Sequence, residues 1–140
     1  MERILVDTGF LVALGRARDP LHRASRAWLE GCTARLATVT AVVVEACHFL
    51  QLESRRSLLA WLAEGDVAVI EVPPEAYPEL SMTMERYRES DVDFADAALV
   101  WLANQAGHRS IVTLDEADFS RFRLKGGARF ELVEWHRGRG

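Results

Sequence analysis

The chain has 140 residues, an apolar fraction of 49% and a net charge of −4. These values suit a globular protein with a substantial core, and no Pro-, Gly- or Ser-rich stretch divides it, so the expectation is a single domain over residues 1–140. Binding to nucleic acid by bulk attraction draws on clustered basic residues, so the acidic balance excludes a protein that merely coats a polyanion.

Arg3 to Asp7 reads as a short buried strand, followed by an apolar turn of helix through Phe10–Leu14. Asp19-Pro20 reads as an N-cap with proline at the first helical position, opening a helix that stops near Gly31. Arg35–Val39 is a second strand, and Thr40 is placed to cap a helix from Ala41 to Leu50 that carries Glu45. Ser57–Leu62 is helical and ends by Gly65, Val67–Val72 is the next strand, and Pro73-Pro74 closes it. A helix is expected from Glu75 through Arg88. Asp93 then caps a strong helix, Phe94 to Ala106, which Gly107 ends. Ser110–Thr113 is a short apolar strand leading into the polar turn Leu114–Phe119, and Phe130–Val133 is the last strand. Strand and helix alternate throughout, which predicts a parallel α/β sheet with helices on both faces.

In an open sheet of this kind, ligands bind beyond the carboxyl ends of the strands. Asp7, Glu45, Asp96 and Asp115 all map to that rim. Four carboxylates in a partly dry cleft repel one another unless a counter-charge is present, and a divalent cation supplies one. With hard oxygen donors and no nearby histidine or thiolate pattern, Mg²⁺ or Mn²⁺ is the expected occupant, and such ions suit phosphodiester hydrolysis. Each acid also has a structural reading. Glu45 interrupts the apolar run Ala41–Val44, where an unpaired Glu is rarely buried, which favours function. Asp7 is as well explained as a helix cap. Asp96 suits a helix N-terminus, and function is favoured for it, whereas Asp93 reads as an ordinary cap. Asp115 and Asp118 are equally at home as turn residues.

Other chemistries find little support. Cys32 and Cys47 lack any zinc-ligand spacing, so a reducing compartment is expected. The N-terminal residues show no signal-peptide pattern, and no apolar run approaches the roughly 20 residues of a membrane span, so a soluble, cytoplasmic protein is expected. His22, His48, His108 and His136 form no catalytic pattern, and Trp28, Trp61 and Trp101 lie in apolar helical stripes that read as core. No glycine-rich phosphate loop suggests a nucleotide cofactor. Nearly all basic residues are Arg, with Lys125 the sole lysine, which suits forked contacts to phosphate and is at least as well explained by a GC-rich genome.

Taken in order and spacing, Ile4-Leu5-Val6-Asp7-Thr8, Asp19-Pro20-Leu21-His22, Thr40 to Glu45, Phe94 to Leu99 and Thr113 to Phe119 resemble the PIN-domain family, specifically its small VapC-like toxins. The resemblance covers the chain almost end to end. It implies a PIN-like three-layer α/β/α sandwich with a central parallel sheet. It further implies a metal-dependent endoribonuclease in which Asp7 and Asp96 are principal metal ligands, Glu45 and Asp115 complete the site directly or through water, and Thr8 and Thr113 supply supporting hydroxyls. RNA as substrate, a cognate antitoxin and a homodimer follow from the same resemblance. Asp93 departs from the Ser or Thr often found at its position, and Asp118 adds an acid. Two competing readings are a catalytically inert PIN-like protein-binding module and an aspartate-based phosphohydrolase; the latter would place a second aspartate where Gly9 stands.

Overall fold

A computed structural model describes residues 2–136. The strands are β1 (Ile4–Val6), β2 (Leu36–Val39), β3 (Val67–Ile70), β4 (Ser110–Val112) and β5 (Glu131–Leu132). The helices are α1 (Thr8–Gly15), α2 (His22–Gly31), α3 (Thr40–Phe49), α4 (Leu52–Ala63), α5 (Tyr77–Arg86), α6 (Phe94–Ala106) and α7 (Glu116–Arg121). The strands form one parallel sheet in the order β3-β2-β1-β4-β5, and the helices cover it in a three-layer α/β/α arrangement.

Short apolar runs make the central strands because both faces of the sheet are covered, so no polar alternation is needed. β1 is the middle strand, with Leu5 opposite Ala37 on one side and Ile111 on the other. Leu5, Val6, Val39, Ile111 and Val112 are fully enclosed. Helix α6 is buried almost all round, from Ala97 through Ala103, as expected of a helix apolar on every face. Asp93 caps its start by accepting from the Asp96 N–H at 2.9 Å, and Gly107 ends it in the left-handed region at φ 75°. Trp101 is core, and Trp28 packs edge-on against Phe10 at 5.5 Å.

Two expected helix starts move. The Asp19 carboxylate accepts from the Leu21 N–H at 2.8 Å, an Asx turn, and α2 begins only at His22 without a side-chain cap. The turn competes for the side chain that a cap would need. Thr40 is the first residue of α3 rather than its cap, because β2 runs directly into the helix and Val39 takes the cap position with extended backbone. The helix seen in Ser57–Leu62 begins earlier, at Leu52. Short 3₁₀ turns, Pro74–Ala76 and Arg88–Ser90, occupy the two ends of the stretch expected as one helix over Glu75–Arg88.

Candidate active site

The strand order reverses direction at β1: the chain builds outward through β2 and β3, then returns to place β4 on the other side of β1. The carboxyl ends of β1 and β4 therefore flank the switch point, the place where an open α/β sheet offers a crevice. Asp7 follows β1 directly, and Thr113 follows β4.

Asp7 is only 7% exposed, and both its carboxylate oxygens are engaged. Oδ1 accepts from the Thr8 N–H at 2.7 Å, and Oδ2 accepts from the Thr113 hydroxyl at 2.7 Å. The capping reading and the rim placement are thus both realised in one residue. Burial raises its pKa to about 6, against the lowering effect of those two donors, with Glu45 and Asp115 adding repulsion. The Thr113 oxygen also accepts from the Asp115 N–H at 2.9 Å, so one hydroxyl links the acid after β1 to the acid after β4. Thr8 donates its hydroxyl to Glu45 Oε1 at 2.6 Å, which brings α3 to the same rim and gives the half-buried Glu45 a partner.

Asp96, Asp115 and Asp118 form a second cluster at this rim. Each offers a carboxylate oxygen within 4.8 Å of the other two, the one such group of three among the described residues. Burial and then repulsion from Asp7, Asp93, Asp115 and Asp118 push the pKa of Asp96 up to about 8. Asp115 is also raised, chiefly by burial. No side-chain donor reaches the Asp96 carboxylate among the described residues, whereas Asp118 has Arg121 Nη2 at 2.8 Å. A raised acid with no donor, Asp96, set beside two further carboxylates is what an all-oxygen cation site produces when no cation is present, so the donor set fits a hard divalent ion.

From the sequence Asp118 reads equally as ligand or turn residue; the fold puts it inside the cluster. Its signal was the spacing. Asp115 caps α7 by accepting from the Asp118 N–H at 3.2 Å, and residues three apart share a helix face. A six-residue helix has little stability of its own. Phe119 fixes it, fully buried against Phe122 at 5.0 Å and Phe130 at 5.3 Å. Trp135 was missed altogether. Its indole N–H donates to the Thr113 carbonyl at 3.1 Å, and its ring packs edge-on to Phe10 at 5.0 Å, so it braces the residue that holds Asp7. Gly9 has a packing role: a Cβ there would lie 2.9 Å from Leu114 Cδ1, between α1 and the loop carrying Asp115.

The PIN domain family model matches residues 4–125. The chain belongs to the PIN-domain family. Among its relatives is Ribonuclease VapC26 of Mycobacterium tuberculosis, 27% identical over 134 residues that cover 93% of this chain and 99% of the relative. In fold this PIN domain is similar to VapC20 of the same organism, described as a sarcin-ricin loop cleaving toxin. The TM-score is 0.74 at 21% identity, over 82% of this chain and 93% of that one. Trp135 lies beyond the stretch that the PIN model matches.

Proposed function

We propose that this PIN domain is a metal-dependent endoribonuclease and the toxin of a toxin–antitoxin pair. The observation that carries the reading is the convergence of Asp96, Asp115 and Asp118 beside the buried Asp7 at the switch point of the sheet. A relative named as a ribonuclease across nearly the full length of both chains supports it.

Asp96, Asp115 and Asp118 would hold the cation, with Asp7 adjoining and Glu45 reaching the site through Thr8 and Asp7. Mg²⁺ or Mn²⁺ is the occupant that all-oxygen donors favour. When bound, such an ion neutralises charge on the phosphate and lowers the pKa of water for attack on phosphorus. The residues themselves set geometry and charge. Thr113 and the Thr8 N–H fix the Asp7 carboxylate from two sides, which leaves its remaining lone pairs pointing in fixed directions. Glu45, anchored by the Thr8 hydroxyl, adds negative charge next to Asp7 and strengthens the demand for a cation. Arg121 lies against Asp118 at the rim, where a guanidinium meets both the acid and an incoming phosphate. Cleavage by water is proposed to leave a 5′-phosphate and a 3′-hydroxyl. An antitoxin covering this cleft, a homodimeric state and a cytoplasmic location belong to the same proposal; among the described residues no helix is long and apolar enough to cross a membrane.

The test is cleavage of single-stranded RNA by the purified chain with Mg²⁺, Mn²⁺ or excess EDTA, alongside Asp7→Asn. Cleavage that needs the metal and is lost in Asp7→Asn supports the reading; full cleavage in EDTA refutes the metal-dependent mechanism. Induced expression should halt growth, and wild type no more harmful than Asp7→Asn at matched levels would remove the toxin assignment.

A further inference from the structure

Positive charge on this acidic chain is not evenly spread. Five arginines, Arg86, Arg88, Arg121, Arg123 and Arg129, line one groove of about 800 Å³ against two glutamates, Glu85 and Glu89. An adjoining hollow shares Arg86 and Arg123 and adds Lys125, the chain's one lysine. The walls come from three separate parts of the chain: the end of α5 with the turn Arg88–Ser90, the end of α7, and the stretch leading to β5. Folding therefore joins two short basic stretches that lie far apart in the sequence, residues 86–88 and 121–129.

We propose that this arginine groove is the track that holds the backbone of single-stranded RNA leading to the acidic cluster. The proposal rests on the ribonuclease reading above and deepens it. Continuity with the site is direct, because Arg121 belongs to both: its Nη2 lies 2.8 Å from Asp118 Oδ1 and also contacts Ser90 Oγ on the groove wall. A strand with one phosphate at the cluster runs past Arg121 into the groove. Not all the cations are equally available. Arg123 spends Nη1 on the Ser120, Arg121 and Phe122 carbonyls and so shapes the floor. Arg88 is held only by an exposed pair with Glu85, and Arg129 and Lys125 have no ion pair among the described residues. Arg86 stacks over the Tyr87 ring with its guanidinium carbon 5.4 Å from the centroid, leaving a flat cationic face of the kind on which bases stack. Forked guanidinium groups beside such a face suit the regularly spaced phosphates of a nucleic acid strand better than the scattered carboxylates of an acidic protein.

The experiment measures anisotropy of a fluorescein-labelled, mixed-sequence single-stranded RNA with the full chain in EDTA, across a salt series. Wild type is compared with the double variant Arg88→Gln/Arg129→Gln. Neither arginine touches the acidic cluster or a backbone carbonyl, and exposed pairs of this kind add little to stability, so the fold is expected to survive. Expected are binding by wild type and a loss of about 10-fold in affinity in the variant. The plot of log affinity against log salt should be shallower by about 1.4, the value for two lost contacts to a single strand. The melting temperature and Mn²⁺ binding should be unchanged. Equal affinity and equal salt slope would overturn the groove assignment while leaving the ribonuclease reading intact. No RNA binding by wild type in EDTA would overturn the groove assignment as well, while the ribonuclease reading stands or falls on metal-dependent cleavage. If the variant keeps its RNA affinity but loses binding to polyglutamate, the groove takes acidic protein instead, which also overturns the proposal.

Discussion

Asp96→Asn should stabilise the metal-free protein, and by an amount that depends on pH. Burial first, and then repulsion from four nearby acids, raise the pKa of the Asp96 carboxylate from 3.8 to about 8, and no side-chain donor among the described residues offsets them. In the unfolded chain it titrates near 3.8. Folding therefore favours the protonated form. The sign follows: the stability this group contributes is fully present below about pH 4 and is lost as the pH rises through about 8. Taken at face value, the gap corresponds to about 6 kcal/mol. The side chain is half-buried, however, and solvent screens part of the repulsion, so about 1–3 kcal/mol is the amount expected. Asn keeps the shape and, since no hydrogen bond to the carboxylate is lost, little opposes the gain.

The assay is thermal unfolding of wild type and Asp96→Asn in EDTA at several pH values. At pH 8.5 the variant should melt about 3–10 °C higher, and the gap should shrink steadily toward pH 5. Saturating Mn²⁺ should then raise wild type more than the variant, since a ligand stabilises only as far as it binds the folded state. A variant no more stable than wild type in EDTA at pH 8.5, or a gap that does not change with pH, would refute the argument that repulsion within the cluster is uncompensated.

Two further substitutions separate scaffold from site. Asp93→Ala removes the acceptor for the Asp96 N–H at 2.9 Å and should cost about 0.5–2 kcal/mol by denaturant unfolding, while RNA cleavage persists at an appreciable level. Cleavage abolished with the fold intact would place Asp93 in the chemistry. Phe119→Ala should cost about 3–5 kcal/mol as the fully buried ring leaves its place between Phe122 and Phe130. Mn²⁺ affinity measured by calorimetry on the folded fraction should fall with it, because α7 carries Asp115 and Asp118.

The order of elements was legible because buried parallel strands read as unbroken apolar runs, Ile4-Leu5-Val6 and Leu36 to Val39 among them, and because α6 carries an explicit start at Asp93 and stop at Gly107. Boundaries were less so. Asp19-Pro20 satisfies the rule for a helix start, yet the same aspartate forms a turn with equal ease, and only packing decides between them. The rim position of Asp7, Glu45, Asp96 and Asp115 was readable from strand ends, and the structure shows the hydroxyls of Thr8 and Thr113 tying that rim together. Asp118 belonged to a turn too short to be recognised as helix from its pattern. Trp135 has no local signature, because the carbonyl it binds lies 22 residues earlier in the chain.

The donors around the acids are unequally shared, and the inequality tells what each acid is for. Asp7 has two donors and deep burial, which fix its direction but still leave its pKa high at about 6. Asp118 has Arg121, and Asp115 has the Asp118 N–H. Asp96 has none among the described residues and carries the higher of the two values, about 8. A cluster that served only to cap helices would distribute donors where charge is most costly, since capping stabilises by pairing carboxylate with N–H. Asp93 is such a cap, and it is exposed and aimed at one N–H. Asp96 instead sits in the first turn of a helix, clustered with Asp115 and Asp118 and repelled by Asp7 and Asp93 as well, in an arrangement that raises the energy of the metal-free fold. The proposed cation would offset that cost when bound, so without it the two substitutions should move in opposite directions in EDTA: Asp93→Ala down, Asp96→Asn up. Both moving down would mean that Asp96 is a structural residue, and the cation site would then have to be built on Asp7 and Asp115 without it.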